Sequence, residues 1–108
     1  MYLFTWATPA FDGRLGSCHA LEIPFVFDNL DRPGAGVFVG DDPPEELAKT
    51  MSAAWCVFAR DGMPGGGPVG AWPGYDGTSR ATMVLDAPAP RLDHDPMGTE
   101  RALWEGVR

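Results

Sequence analysis

The run Tyr2-Leu3-Phe4-Thr5-Trp6 is apolar, aromatic and β-branched, with no alternation that would leave one face polar. A strand of that kind has no side to give to water, so it needs cover both above and below. An inner strand of a parallel sheet meets that condition, with helices supplying the two covering layers. The run closes at Thr8-Pro9. A chain that starts this way is expected to be α/β, and its remaining segments must provide the cover.

Those segments are marked off by glycine and proline. The 14 Gly and 11 Pro crowd into 33–44, 62–74 and 88–98, which read as connections between packed elements. Phe11 to Cys18 carries Asp12-Gly13 and Gly16-Ser17 and reads as a loop. From Leu21 to Phe27 the apolar residues are dense; a helix capped near Ala20 would hold Pro24 in its first turn, where a missing N–H costs little. Residues 45–60 form the clearest helix. Asp42 is placed to cap it, Pro43 to take the first helical position, and Glu45 and Glu46 lie at its positive end. Its apolar stripe is Leu47, Met51, Ala54, Trp55 and Phe58, and Gly62 is the expected stop. Trp72 to Asp76 reads as an irregular aromatic anchor. Ala81 to Asp86 is a short strand that Arg91 to His94 pairs with after a turn at Pro88, and a last helix runs from about Thr99 to Val107, presenting Leu103, Trp104 and Val107.

Length and charge narrow the function classes. A chain of 108 residues holds at most one domain, and 8 Lys+Arg against 15 Asp+Glu give a net charge of -7. An acidic chain without a basic stripe repels phosphates, which disfavours a nucleic-acid partner. At 44% hydrophobic residues it is no solvated tail, and no apolar run approaches the roughly 18 residues a membrane span requires. Cys18 and Cys56 are too few for a disulfide scaffold and read as two buried free thiols, Cys56 as core filler beside Trp55. Met1-Tyr2-Leu3-Phe4 has no basic region or cleavage site, so no secretory leader is expected.

Chemistry has few places to reside. His94, in Asp93-His94-Asp95-Pro96, reads as a solvated loop residue. His19 follows a strand and a connector and precedes an apolar helix. In open α/β sheets the crevice beyond the carboxyl ends of the strands is where chemistry is placed, and a histidine there can serve as a general base near neutral pH. Cys18 and His19 are adjacent and point apart, which disfavours a thiol–imidazole pair. His19 and Glu22 have i, i+3 spacing but no further ligands at metal-binding intervals, and Asp28-Asn29-Leu30-Asp31 lacks the alternation of a calcium loop. Gly65-Gly66-Gly67 is followed by no Lys-Ser/Thr. Ser17, Ser52 and Ser79 lack the glycines of Gly-x-Ser-x-Gly.

The segment Gly16-Ser17-Cys18-His19-Ala20-Leu21-Glu22-Ile23-Pro24-Phe25-Val26-Phe27 resembles the catalytic-histidine segment of type-B carboxylesterases, the family of the bacterial para-nitrobenzyl esterases and the cholinesterases. The resemblance continues through Trp55 to Pro64, Trp72-Pro73-Gly74-Tyr75, Met83 to Asp86 and Glu100 to Trp104. It implies an α/β fold in which residues 1–108 are the C-terminal part of a single α/β-hydrolase catalytic domain, with an incomplete sheet. It implies that His19 is the triad histidine and that Glu22 is a structural support near it. The nucleophile, the acid and the oxyanion hole would then lie upstream of Met1, since the triad order is Ser, Asp/Glu, His. Phe11, Phe25, Phe27 and Trp6 are expected mainly in the core, with one or two lining the acyl or alcohol pocket. The substrates implied are small carboxylic esters, with no metal, organic cofactor, nucleic acid or membrane, and bacterial relatives suggest the cytoplasm. One departure stands out: the family commonly has Gly after the histidine, and here it is Ala20. The competing reading is a non-catalytic remnant or split-gene module that docks to a partner chain.

Overall fold

The computed structural model describes residues 1–107. Strand β1 spans Tyr2–Phe4, followed by a turn at Ala10–Gly13 in which Phe11 and Asp12 are left-handed, with φ 55° and 57°. Three helices come next: α1 (Ile23–Val26), α2 (Gly36–Val39) and α3 (Glu45–Asp61). After a short 3-10 turn at Gly67–Val69, strands β2 (Ala81–Leu85) and β3 (Arg91–His94) precede helix α4 (Gly98–Ala102). The sheet has the order β1-β2-β3. β1 runs parallel to β2 with Leu3 opposite Val84, and β3 runs antiparallel to β2 with Leu92 opposite Met83.

β2 is the central strand, and all five of its residues are buried. Alternation along a strand sends Met83 and Leu85 to one face, where they join the main apolar cluster, and Thr82 and Val84 to the other. α3 lies over the first face. Leu47, Ala48, Met51 and Ala54 are its buried residues, and they meet Leu21 and Phe25 from the α1 segment together with Val69 and Trp72. Phe25 is central to the aromatic packing, with ring centroids 5.3 Å from Phe4 and 5.1 Å from Trp6. Trp72 is buried, and its indole N–H donates to the Met1 carbonyl at 3.0 Å, which holds the aromatic anchor against the start of β1.

Several sequence expectations need correction. β1 ends at Phe4, so Trp6 packs on the core from outside the strand. Helix α3 is headed by Pro44 with no side-chain cap, rather than by Asp42 with Pro43 inside it. The reason is the second proline: a residue that precedes proline is pushed out of the α region, so Pro43 cannot be helical before Pro44. Gly62 does end the helix, in the left-handed conformation, with its N–H on the Phe58 carbonyl at 2.8 Å. Phe58 is on the exposed side and Trp55 is only half-buried. Cys56 is exposed rather than core filler, and Cys18 is half-buried; both thiols are free. Phe25 and Trp6 join the core, but Phe11 and Phe27 remain 56% and 69% exposed. His94 sits on β3, not in a loop, with Nδ1 3.0 Å from the Ser79 carbonyl. The last helix closes at Ala102; beyond it Leu103, Trp104 and Glu105 bond back three residues instead of four, and Leu103, Trp104 and Val107 stay exposed.

α4 is held by charge. The Asp95 carboxylate accepts from the Arg101 guanidinium at Nε (3.0 Å) and Nη2 (2.9 Å), and Arg80 approaches to 3.9 Å. The Arg101 hydrogen bonds, then the charges of Arg101 and Arg80, hold the Asp95 carboxyl below its ordinary value. A carboxyl depressed in the folded state adds stability that is present above its unfolded pKa, near 3.9, and is lost as the pH falls through the lower folded value. Docking of α4 is therefore expected to loosen only below about pH 4. Hydrogen exchange at the Arg101 and Leu103 amides, followed from pH 6 to pH 3 with this chain joined to the segments that complete its sheet and corrected for intrinsic rates, checks this; unchanged protection across that range would refute it.

Candidate active site

The chain leaving β1 is tied down within a few residues. The Ser17 hydroxyl lies 2.6 Å from the Thr5 carbonyl and 2.8 Å from that of Trp6, and donates to this stretch of backbone. The Thr8 N–H donates to the Gly16 carbonyl at 3.2 Å, so the loop between them is pinched shut. Thr8 is 1% exposed; its hydroxyl accepts from the Ala10 N–H and donates to the Phe38 carbonyl, which joins the loop to α2. His19 therefore emerges two residues after an anchored serine, at the carboxyl end of β1.

The turn that carries His19 is defined by one bond. The Leu21 N–H donates to the Cys18 carbonyl at 3.2 Å, which makes His19 and Ala20 the two central residues of a β-turn. Ala20 has φ +66°, whereas His19 is not in the positive-φ region. That is the type II pattern, in which the second central residue is normally glycine. The alanine at this point is thus strained, as the sequence departure suggested. An L-residue in the left-handed region costs about 1–2 kcal/mol, so Ala20→Gly is expected to stabilise the fold by roughly 1 kcal/mol. A urea midpoint that fails to rise, measured with this chain joined to the segments that complete its sheet, would contradict the turn assignment.

After the turn, α1 begins behind Glu22, whose carbonyl accepts from Phe25 and Val26 while its side chain makes no capping bond. Pro24 occupies the first turn of α1, as expected. Beyond α1 the backbone folds back on itself: Asn29 N–H bonds the Pro24 carbonyl, Arg32 that of Asn29, and Ala35 that of Arg32. These consecutive turns bring residues 29–38 over the histidine. The result is an open cavity of about 310 Å³ with His19 in its wall, together with Ile23, Asn29, Arg32, Pro33 and Phe38. His19 is exposed and so available to a ligand. Glu22 does not line this cavity. His94 lies elsewhere, on β3.

Arg32 and Phe38 were not singled out from the sequence, and Asn29 was met only in a segment set aside as a calcium loop. Their approach depends on three successive turns, which leave no periodic signature; the dipeptide Pro33-Gly34 was the only local hint of a chain reversal. A second cavity, of about 330 Å³, is lined by Met1, Tyr2, Trp55, Phe58, Met63 and Trp72 among others and carries no titratable side chain except the Tyr2 phenol. Among the described residues there is no group of three or more His, Cys, Asp or Glu placed to hold a metal ion, and no helix is long and apolar enough to cross a membrane.

No protein-family model matches the chain. Known proteins do. The para-nitrobenzyl esterase of Bacillus subtilis is 35% identical over 105 residues, which is 94% of this chain and 20% of that protein. The phenmedipham hydrolase of Pseudarthrobacter oxydans is 34% identical over 87 residues, 78% of this chain and 18% of that protein. Among solved structures, a carboxylesterase of Geobacillus stearothermophilus superposes with a TM-score of 0.77 at 44% identity, over 96% of this chain and 21% of its own. The chain thus spans about a fifth of the length of the relatives it matches. In sequence and in fold it belongs with the para-nitrobenzyl esterases and related carboxylesterases of the α/β-hydrolase fold.

Proposed function

We propose that this chain supplies the triad histidine, His19, of a serine carboxylesterase, as the C-terminal part of a single catalytic domain. The observation that carries the reading is the placement of an exposed imidazole at the carboxyl end of a parallel strand, in a tight turn, at the wall of a cavity. Its relatives include esterases and a hydrolase, which makes small carboxylic esters the substrate class. In the assembled site a serine from another segment attacks the ester carbonyl while His19 takes the hydroxyl proton. His19 then returns that proton to the leaving alcohol and activates the water that releases the acyl group. An acid from another segment fixes the imidazole tautomer, and backbone N–H groups hold the oxyanion. Glu22, whose backbone carbonyl accepts the first bonds of α1, is a support near His19 and not that acid. The steps draw on side chains and backbone amides, with no metal or organic cofactor. A cytoplasmic setting is part of this proposal.

The isolated 108-residue chain is expected to hydrolyse an activated nitrophenyl ester no faster than free imidazole does, because it carries no acyl acceptor at a nucleophile elbow. Saturable turnover that a serine-directed phosphonate abolishes would sink this reading. A docking module without catalysis is the second reading, and the exposed apolar groups along the second cavity favour it. Exchange of His19 for Ala in the assembled enzyme separates the two, since a docking role does not require the imidazole.

A further inference from the structure

We infer that the cavity beside His19 is a subsite for an ester that also bears a carboxylate, and that Arg32 is the residue that selects it. This rests on His19 being the catalytic base. Arg32 and Asn29 stand in the same wall as His19, and Ile23, Pro33 and Phe38 complete an otherwise apolar lining. In a chain of net charge -7, four of the 8 Lys and Arg are paired among the described residues: Lys49 with Glu45 and Glu46, Arg60 with Asp61, and Arg80 and Arg101 with Asp95. Arg32 is not; among the described residues no carboxylate lies within ion-pair distance of it. Its sequence neighbours Asp28 and Asp31 neither line the cavity nor pair with it. Arg14 and Arg91 are also without an ion pair, but neither lines a cavity.

An unpaired guanidinium presents a planar fork of donors that fits a carboxylate with two parallel bonds. Asn29, half-buried, adds an amide that can donate to the same anion. The cavity volume of about 310 Å³ is at the small end of ligand sites and is enough for a short diacid monoester. With the ester carbonyl at His19, a second carboxylate of such a substrate would share a cavity that Arg32 also lines.

The test uses the full chain joined to the remaining four fifths of the Bacillus subtilis para-nitrobenzyl esterase. Two substrates are compared, 4-nitrophenyl butyrate and mono-4-nitrophenyl glutarate, which differ by a carboxylate. The ratio of kcat/KM for the glutarate over the butyrate is expected to fall roughly tenfold in Arg32→Gln, with the loss in KM, and to recover in part in Arg32→Lys. Calorimetric titration with glutarate itself covers a carboxylate on either side of the ester and needs no turnover; Arg32→Gln is expected to weaken it by a similar factor. If neither the ratio nor the glutarate affinity responds to Arg32→Gln, the subsite is wrong. If the joined parent turns over neither ester, the His19 reading fails, and the titration still decides the role of Arg32.

Discussion

Removing the His19 imidazole from an assembled esterase is expected to cut turnover about 10⁴-fold or more, because proton transfer is lost in both acylation and deacylation. The appropriate protein is this chain joined to the other four fifths of a homologous esterase, with folding checked by circular dichroism. His94→Ala is the control. That residue is exposed on β3, its Nδ1 engages the Ser79 carbonyl, and it lines neither cavity, so turnover should stay near the parent's. Glu22→Gln should fall far short of the His19→Ala loss, as befits a residue whose side chain neither caps α1 nor reaches the cavity. Comparable activity in the His19→Ala and His94→Ala proteins would overturn the assignment.

The second large effect concerns the isolated chain, which is expected to be molten or associated and to lack a cooperative thermal transition. Its radius of gyration is 15.0 Å, against about 13 Å for a compact domain of this length. Its accessible surface is 7087 Å², against about 5,800 Å² for a self-contained globule of the same mass. Even if half of that excess is apolar, covering it is worth on the order of 15 kcal/mol at ~25 cal/mol/Å², an upper figure that still matches the whole net stability of a typical domain. The uncovered groups are identifiable. Tyr2, Phe58 and Met63 are exposed around the second cavity, and the outer edge of β1 has no partner strand among the described residues. Such an edge invites pairing with other chains, and the charge of -7 slows that association without replacing a core. Strong ANS fluorescence and a flat calorimetric trace are the expected readings. A sharp unfolding peak from a monodisperse monomer would refute the expectation and favour an independent module.

What the sequence revealed, and what it hid, divides along the range of the interactions. Helix α3, the strand pair β2–β3 and the α1 segment with Pro24 in its first turn all rest on contacts within a few residues, and local pattern located them. The cap of α3 went astray because capping preference was applied to Asp42 without the steric rule that acts between Pro43 and Pro44. Phe11, Phe27, Phe58 and Cys56 were assigned to the interior on composition and periodicity. Both report that a residue needs cover but not whether any described part of the chain provides it. The position of His19 was legible because it lies between a strand with its connector and an apolar helix. The wall opposite was not, since Asn29, Arg32 and Phe38 reach it through three turns whose direction no periodicity encodes. Ala20 lay between these cases: its departure from glycine was visible, and its cost became concrete only with the turn around it.

The parallel pairing of β1 with β2 also fixes the order in which this chain can assemble. Thr5 donates to the Asp86 carboxylate across 81 intervening steps of chain, and the Thr5 N–H reaches the Leu85 carbonyl at 3.0 Å. Closing so long a loop costs entropy before any contact rewards it, whereas α3 and the β2–β3 hairpin close over short distances. During synthesis the first strand must therefore wait, unpaired on this side, until almost the whole chain has left the ribosome. Pulse-labelled hydrogen exchange during refolding of the joined enzyme should find the Trp55 amide protected before that of Leu3. His19, the residue proposed to carry the chemistry, is tied through Ser17 to the backbone that leaves that late strand, so its turn is expected among the last parts of the chain to be put in place.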